Sequence, residues 1–162
     1  MRINTSTAAA AVFALVASAA LAQEGTATGT FTVNGKPAKL VYAYAIPDED
    51  ASRKVVRVYL SDVKLTPKQL DFPFGLQAAM KAGQVHAIVA EIDATKKVVN
   101  AMLYDKAFGM DLVSEGGASN TFEGTIDNTS VAGKLYRSAP GETNKIAFDF
   151  AVTFKVPIQR KR

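Results

Sequence analysis

The sequence predicts an all-β domain: an antiparallel β-sandwich of immunoglobulin-like or Greek-key form with seven to nine strands, with a closed β-barrel as the alternative. Three observations predict it. Residues 145–156 alternate without a break, setting Ile146, Phe148, Phe150, Val152, Phe154 and Val156 against Lys145, Ala147, Asp149, Ala151, Thr153 and Lys155. That period of two belongs to extended chain, because a helix would scatter the same residues around its barrel. Alternating runs then recur along the rest of the chain between short turn signals, and only residues 64–83 carry helical character. Each phenylalanine of the last run contributes roughly 1.5–3 kcal/mol on burial before entropy is subtracted, enough to anchor a sheet. The chain has neither tryptophan nor cysteine, so any likeness to antibody domains is one of architecture.

Residues 1–22 open with Arg2, continue into an apolar, alanine-rich run and close on Ala20, Leu21 and Ala22. This pattern predicts a secretory signal peptide cleaved after Ala22. The run is shorter than the ~20 residues that cross a bilayer, and no cysteine follows it to be lipidated. The expected product is a soluble periplasmic or secreted bacterial protein, with residues 23–162 as a single domain.

Along that domain, Thr30 to Val33 alternate into Asn34-Gly35, a pair suited to the positive φ of a tight hairpin turn. Pro37 begins the return strand, where a missing N–H matters least. Over residues 38–46, Leu40, Tyr42, Tyr44 and Ile46 share one face and Lys39, Val41, Ala43 and Ala45 the other, which predicts a central strand. Pro47, Asp48, Glu49 and Asp50 form a polar turn, and residues 55–63 the next strand. In residues 64–83, Thr66-Pro67 starts a helical turn and 76–82 suits two more turns. An irregular insertion of this length predicts a functional loop or a lid.

Residues 84–93 and 97–104 predict a second hairpin of ambiguous register. His86, Ile88, Ala90 and Ile92 face either Val99, Ala101 and Leu103 or Val98, Met102 and Tyr104. Residues 105–113 are expected as a short edge strand and 114–120, with Gly116-Gly117, as a mobile loop. Residues 121–127 and 131–137 form a hairpin around Asn128, and the long strand closes the domain. Arg160, Lys161 and Arg162 make a basic tail, expected to fray.

Charge and composition narrow the chemistry. The net charge of +4 includes Arg2, so residues 23–162 carry +3, a mild and dispersed excess that does not suit nucleic-acid binding. With one histidine and no cysteine, His-rich and thiolate metal centres cannot be built. His86 with Glu91, Asp93 or Asp105 would at most hold a metal weakly, and an ordinary residue near a sheet end is the favoured reading. Asp48, Glu49 and Asp50 lack the spacing of a calcium loop. No Gly-x-Ser-x-Gly elbow accompanies His86, and Gly116-Gly117 is not followed by the lysine and hydroxyl of a phosphate loop. The Asn128-Thr129-Ser130 sequon lies on a turn and is common by chance.

Two constellations remain. Glu91, Glu123 and Asp149 lie on predicted strands and could serve a small hydrolase as paired carboxylates, although alternation places them toward solvent. Tyr42 and Tyr44 on one strand face, with Phe72 and Phe74 in the insertion, could line an apolar ligand pocket. Plain aromatic packing beneath a lid is the simpler account of them. The reading that results is an exported, non-enzymatic binding or interaction module. Its alternatives are a carrier of a small apolar ligand under residues 64–83, or the small hydrolase. No cofactor, metal or nucleic acid is implied. The expected partner is a protein or a small apolar molecule, without stable membrane insertion once the leader is removed.

Overall fold

The computed structural model describes residues 23–48, 54–71, 73–109 and 112–159. The leader, Glu49 and Asp50 of the acidic turn, Phe72 and the tail Arg160, Lys161 and Arg162 lie outside the described residues. Ten strands form: β1 (Gly25–Val33), β2 (Lys36–Asp48), β3 (Val55–Ser61), β4 (Ala87–Asp93), β5 (Val98–Tyr104), β6 (Val113–Gly116), β7 (Asn120–Ile126), β8 (Ser130–Arg137), β9 (Gly141–Thr143) and β10 (Ile146–Pro157). The body is all-β and antiparallel, as the alternation requires. Where the sequence suggests two stacked layers, the ladder order β6-β5-β4-β3-β2-β1-β10-β8-β7 records one continuous sheet, curled into a half-barrel, with β9 paired to β10.

β10 is the pivot of this sheet. Phe148, Phe150, Val152, Phe154 and Val156 are buried, while Ala147, Asp149, Ala151, Thr153 and Lys155 are exposed. Its buried row meets the inner rows of all the long strands. These include Phe31 and Val33 from β1, Leu40 and Ala45 from β2, Val58 and Leu60 from β3, Ile88 and Ile92 from β4, and Phe122, Val131 and Leu135 from β7 and β8. Phe31 meets Phe150 edge-on at 6.4 Å between ring centroids, and Phe122 lies 5.9 Å from Phe154, spacings at which aromatic pairs attract. A sheet with one continuous apolar face must bend that face onto itself to dry it. Close approach of β1 and β10 needs glycine: a Cβ at Gly29 would stand 2.2 Å from the Ala151 carbonyl oxygen.

Several boundaries differ from the expectation, each for a local reason. Of residues 105–113, expected as an edge strand, 105–109 are not strand and Val113 begins the edge strand β6. Asp105 caps a single 3-10 turn, Lys106–Phe108, by accepting from the Ala107 N–H at 2.8 Å, and pairing resumes only at β6. Residues 114–120, expected as a loop, supply most of β6, a 3-10 turn at Gly117–Ser119 and the start of β7. Lys145 belongs to a turn: Asn144 and Lys145 take φ of 48° and 65°, as Asn34 and Gly35 take 48° and 74°, so a second tight hairpin precedes β10. The β4–β5 register mixes both options. Ile88 faces Leu103 and Ala90 faces Ala101, and a shift after Glu91 then sets Ile92 against Val98. In β2, Leu40 joins the inner face with Ala43 and Ala45, while Tyr42, Tyr44 and Ile46 turn outward. The alternation slips at Val41, beside a register shift against β1 between Thr26 and Gly29.

The two sheet edges, β6 and β7, are joined through Gly117–Ser119, and side chains fasten the seam between them. The nearly buried Arg137 guanidinium pairs with Glu115, reaches Asn120 Oδ1 at 3.4 Å and lies 4.8 Å from the Phe148 ring centroid. Replacing Phe150 with alanine is expected to cost about 3–5 kcal/mol in urea unfolding. Asp149→Ala, on the exposed row, should stay within about 0.5 kcal/mol.

Candidate functional site

The inner face of each strand is apolar through the middle of the sheet, and its last positions define two mouths. At one mouth, Pro47 is the last residue but one of β2, Val55 and Val56 begin β3, Ile92 is the last but one of β4, Ile126 ends β7 and Ile158 follows β10. Together they floor a cleft of about 760 Å3, rimmed by Asp48, Lys54, Asp93, Ala94, Asp127 and Asn128. Ile158 is held there by its N–H donating to Thr129 O at 2.7 Å, and the Gln159 N–H donates to Ala45 O at 2.9 Å.

Most rim acids are committed to structure. Asp93 Oδ1 accepts from Thr95 Oγ1 at 2.6 Å, from the Thr95 N–H at 2.8 Å and from the Lys97 N–H at 3.0 Å. Asp127 Oδ1 accepts in the same way from Thr129 Oγ1 and N–H at 2.7 Å each and from the Ser130 N–H at 2.8 Å. The Thr129 hydroxyl, followed by these backbone donors, holds the Asp127 carboxyl down to about 2, and the Thr95 hydroxyl lowers Asp93 in the same direction. Asp48 pairs with Arg57, which also reaches Glu91 at 3.4 Å. Lys54 has no ion-pair partner among the described residues.

The opposite mouth is polar. Asn34 follows β1, Asp62 follows β3, His86 precedes β4 and Asp105 follows β5, around a cleft of about 600 Å3 that Lys36, Lys106 and their neighbours complete. Phe108 closes the core behind it, 5.7 Å from Phe148 and 6.4 Å from Phe31.

Of the aromatic residues singled out in the sequence, Tyr42 and Tyr44 lie on the outer face of the sheet. There a second apolar cluster joins Tyr44, Tyr59, Ala87, Val89, Met102 and Tyr104 to Leu65, Leu70, Leu76 and Met80 of residues 64–83. Within this insertion, α1 (Pro67–Leu70) starts on a capping box between Thr66 and Gln69, a 3-10 turn spans Pro73–Leu76, and α2 (Gln77–Lys81) follows. Tyr44 is buried and its hydroxyl accepts the Leu65 N–H at 3.2 Å, while Tyr59 donates to Leu70 O at 3.2 Å. Tyr42 is half-buried against the same cluster, and Phe74 is 47% exposed. The two tyrosines are therefore packed beneath the insertion, a different place from either mouth.

The carboxylates Glu91, Glu123 and Asp149 are not brought together. They stand on the outer face of β4, β7 and β10, four and two ladder steps apart from Asp149, and curling the inner face spreads the outer one. Each has its own partner: Arg57 for Glu91, the Tyr136 hydroxyl at 2.6 Å for Glu123 and the Phe150 N–H at 2.8 Å for Asp149. Sequence reasoning missed both mouths. The available signal was the repeated Asp-x-Thr turn at 93–95 and 127–129, together with inner-face alternation running past the strand ends.

Comparison with protein-family models, with curated proteins and with solved structures finds no match in any of the three. Burial pushes the Tyr44, Tyr59 and Tyr104 phenols above their usual range. Their neutral forms therefore contribute stability that is complete below about pH 10 and is lost as pH rises toward the raised values. Thermal melts should hold steady to about pH 9.5 and fall above about pH 10. The fall should become shallower in a Tyr44→Phe, Tyr59→Phe double variant, in which only Tyr104 retains a raised phenol; an unchanged alkaline slope would contradict this account.

Proposed function

We propose that this chain is an exported, soluble, non-enzymatic binding module whose ligand is a small amphipathic molecule seated at the apolar mouth. One observation carries the reading: Pro47, Val55, Val56, Ile92 and Ile126 from four strands, with Ile158 just after β10, converge on a cleft of about 760 Å3 at the end of the apolar core. Concave, mostly apolar sites with a few polar groups at the rim are where small molecules bind, and barrel mouths are a common place for them. With Asp48, Asp93 and Asp127 engaged by Arg57 and by their own turns, Lys54 is, among the described residues, the rim charge available to a head group, which favours a weakly anionic ligand. The sheet end is favoured over the underside of residues 64–83 because there Leu65, Leu70, Leu76 and Met80 pack onto the tyrosines. Export rests on the leader pattern of residues 1–22.

The anionic amphipath 1-anilinonaphthalene-8-sulfonate serves as the probe. Its fluorescence is expected to rise saturably with one site per chain. Val56→Glu and Ile126→Glu, at half-buried positions, should each weaken binding at least about tenfold, equivalent to about 1.4 kcal/mol, with melting temperatures close to the parent. Non-saturable binding, or affinity indifferent to both substitutions, would remove the reading. Export itself predicts an intact mass beginning at Gln23 for chain recovered outside the cytoplasm, and a mass that retains residues 1–22 would count against it.

A further inference from the structure

We infer that the polar mouth is a second site, which binds a small oxyanion, a carboxylate or a phosphate, together with a proton on His86. The geometry begins with Asp105, which is buried and has both oxygens engaged. Oδ1 accepts from the Ala107 N–H at 2.8 Å, and Oδ2 lies 2.7 Å from His86 Nδ1. A carboxylate only accepts, so Nδ1 carries the hydrogen, and the ring is held in one tautomer and one orientation. His86 is fixed from its backbone as well. Its N–H donates to Asp62 Oδ1 at 2.8 Å, and its carbonyl accepts the Asp62 N–H at 3.1 Å.

The remaining ring nitrogen, Nε2, has no hydrogen-bond partner among the described residues. It is not a buried orphan either, since the imidazole is one-third exposed and lines the cleft. A histidine positioned by a buried carboxylate, with its far nitrogen open to a cleft, is set to exchange one proton with whatever enters.

Charge then selects the ligand. The ionisable groups around the imidazole are Lys36 at the start of β2, Asp62 after β3, and Asp105 and Lys106 after β5. Neither lysine has an ion-pair partner among the described residues. The two carboxylates are hydrogen-bonded to His86, and Asp105 also to the chain beyond it. Two lysines and two carboxylates cancel, so the mouth is neutral while His86 is neutral and gains one positive charge when Nε2 is protonated. An imidazolium donor in a cleft lined by Lys36 and Lys106 suits an oxyanion. Among the described residues, no group of three or more ligating side chains is arranged to hold a metal ion.

The test follows the His86 ring by NMR during titration with inorganic phosphate and, separately, with acetate, at about pH 5.5 and about pH 8. Expected are saturable shifts of the His86 resonances with at least one of the two anions at the lower pH. Affinity should be at least about fivefold weaker at the higher pH. The Lys36→Ala, Lys106→Ala double variant, which alters only exposed side chains, should lose about tenfold or more, and His86→Gln should abolish the pH dependence seen by calorimetry. No saturable shift with either anion at the lower pH, equal affinity at both pH values, or full affinity in the lysine double variant would each overturn the proposal. These outcomes are independent of whether the apolar mouth binds its amphipath.

Discussion

The row of side chains that β10 turns inward sets the geometry of this protein. Phe148, Phe150, Val152, Phe154 and Val156 form a dry stripe the length of the domain. Because they belong to one continuous ladder, the rest of that ladder covers most of them, and Phe108 from the 3-10 turn closes over Phe148. The inner positions of β1 to β5, β7 and β8 are correspondingly apolar, and the sheet curls until they meet. Backbone pairing supplies the continuity, while the free energy of drying the phenylalanines supplies the curvature. The seam follows from this. Since β6 and β7 are not paired with each other, Arg137 bridges them by pairing with Glu115, contacting Asn120 and covering the Phe148 ring.

A curled sheet leaves its outer face to solvent unless something covers it. Over β2 to β5 the outer positions Tyr44, Tyr59, Val89, Met102 and Tyr104 are too apolar to remain wet, and residues 64–83 cover them. The cover is held by packing and by hydrogen bonds at its edge, the Leu65 N–H to Tyr44 and the Tyr59 hydroxyl to Leu70 O. Each phenol thus buries its ring while keeping a partner for its oxygen, as buried polar atoms require. The same burial disfavours their ionised forms, so the outer layer and the protonation of these phenols are one physical property.

The two mouths arise from the strand rhythm itself. Inner-face alternation does not stop where the core stops. At one end it continues into Pro47, Val56, Ile126 and Ile158, and at the other into Asp62, His86 and Asp105. Turn chemistry finishes the rims: Thr95 and Thr129 absorb the charge of Asp93 and Asp127 at the apolar end, while Asp105 caps a 3-10 turn and orients His86 at the polar end. A single sheet therefore presents an oily opening and a polar one, with the buried apolar row between them.

Much of this body was legible in residue order. Alternation in 146–156, Asn34-Gly35 with its positive φ, Thr66-Pro67 at a helix start and the outward placement of Glu91, Glu123 and Asp149 all depend on neighbours within a few positions, where backbone sterics and side-chain periodicity act. What the sequence could not reveal depends on partners far along the chain. The single curled ladder follows from β10 pairing with both β1 and β8. The slip at Val41 that separates Leu40 from Tyr42 accompanies a register shift against β1, and His86 meets Asp105 only because β4 and β5 end side by side. Local chemistry determined which segments would be strands and which face of each would be oily. Which strands became neighbours, and so which residues share a mouth, was decided by the tertiary packing that dries the phenylalanine row.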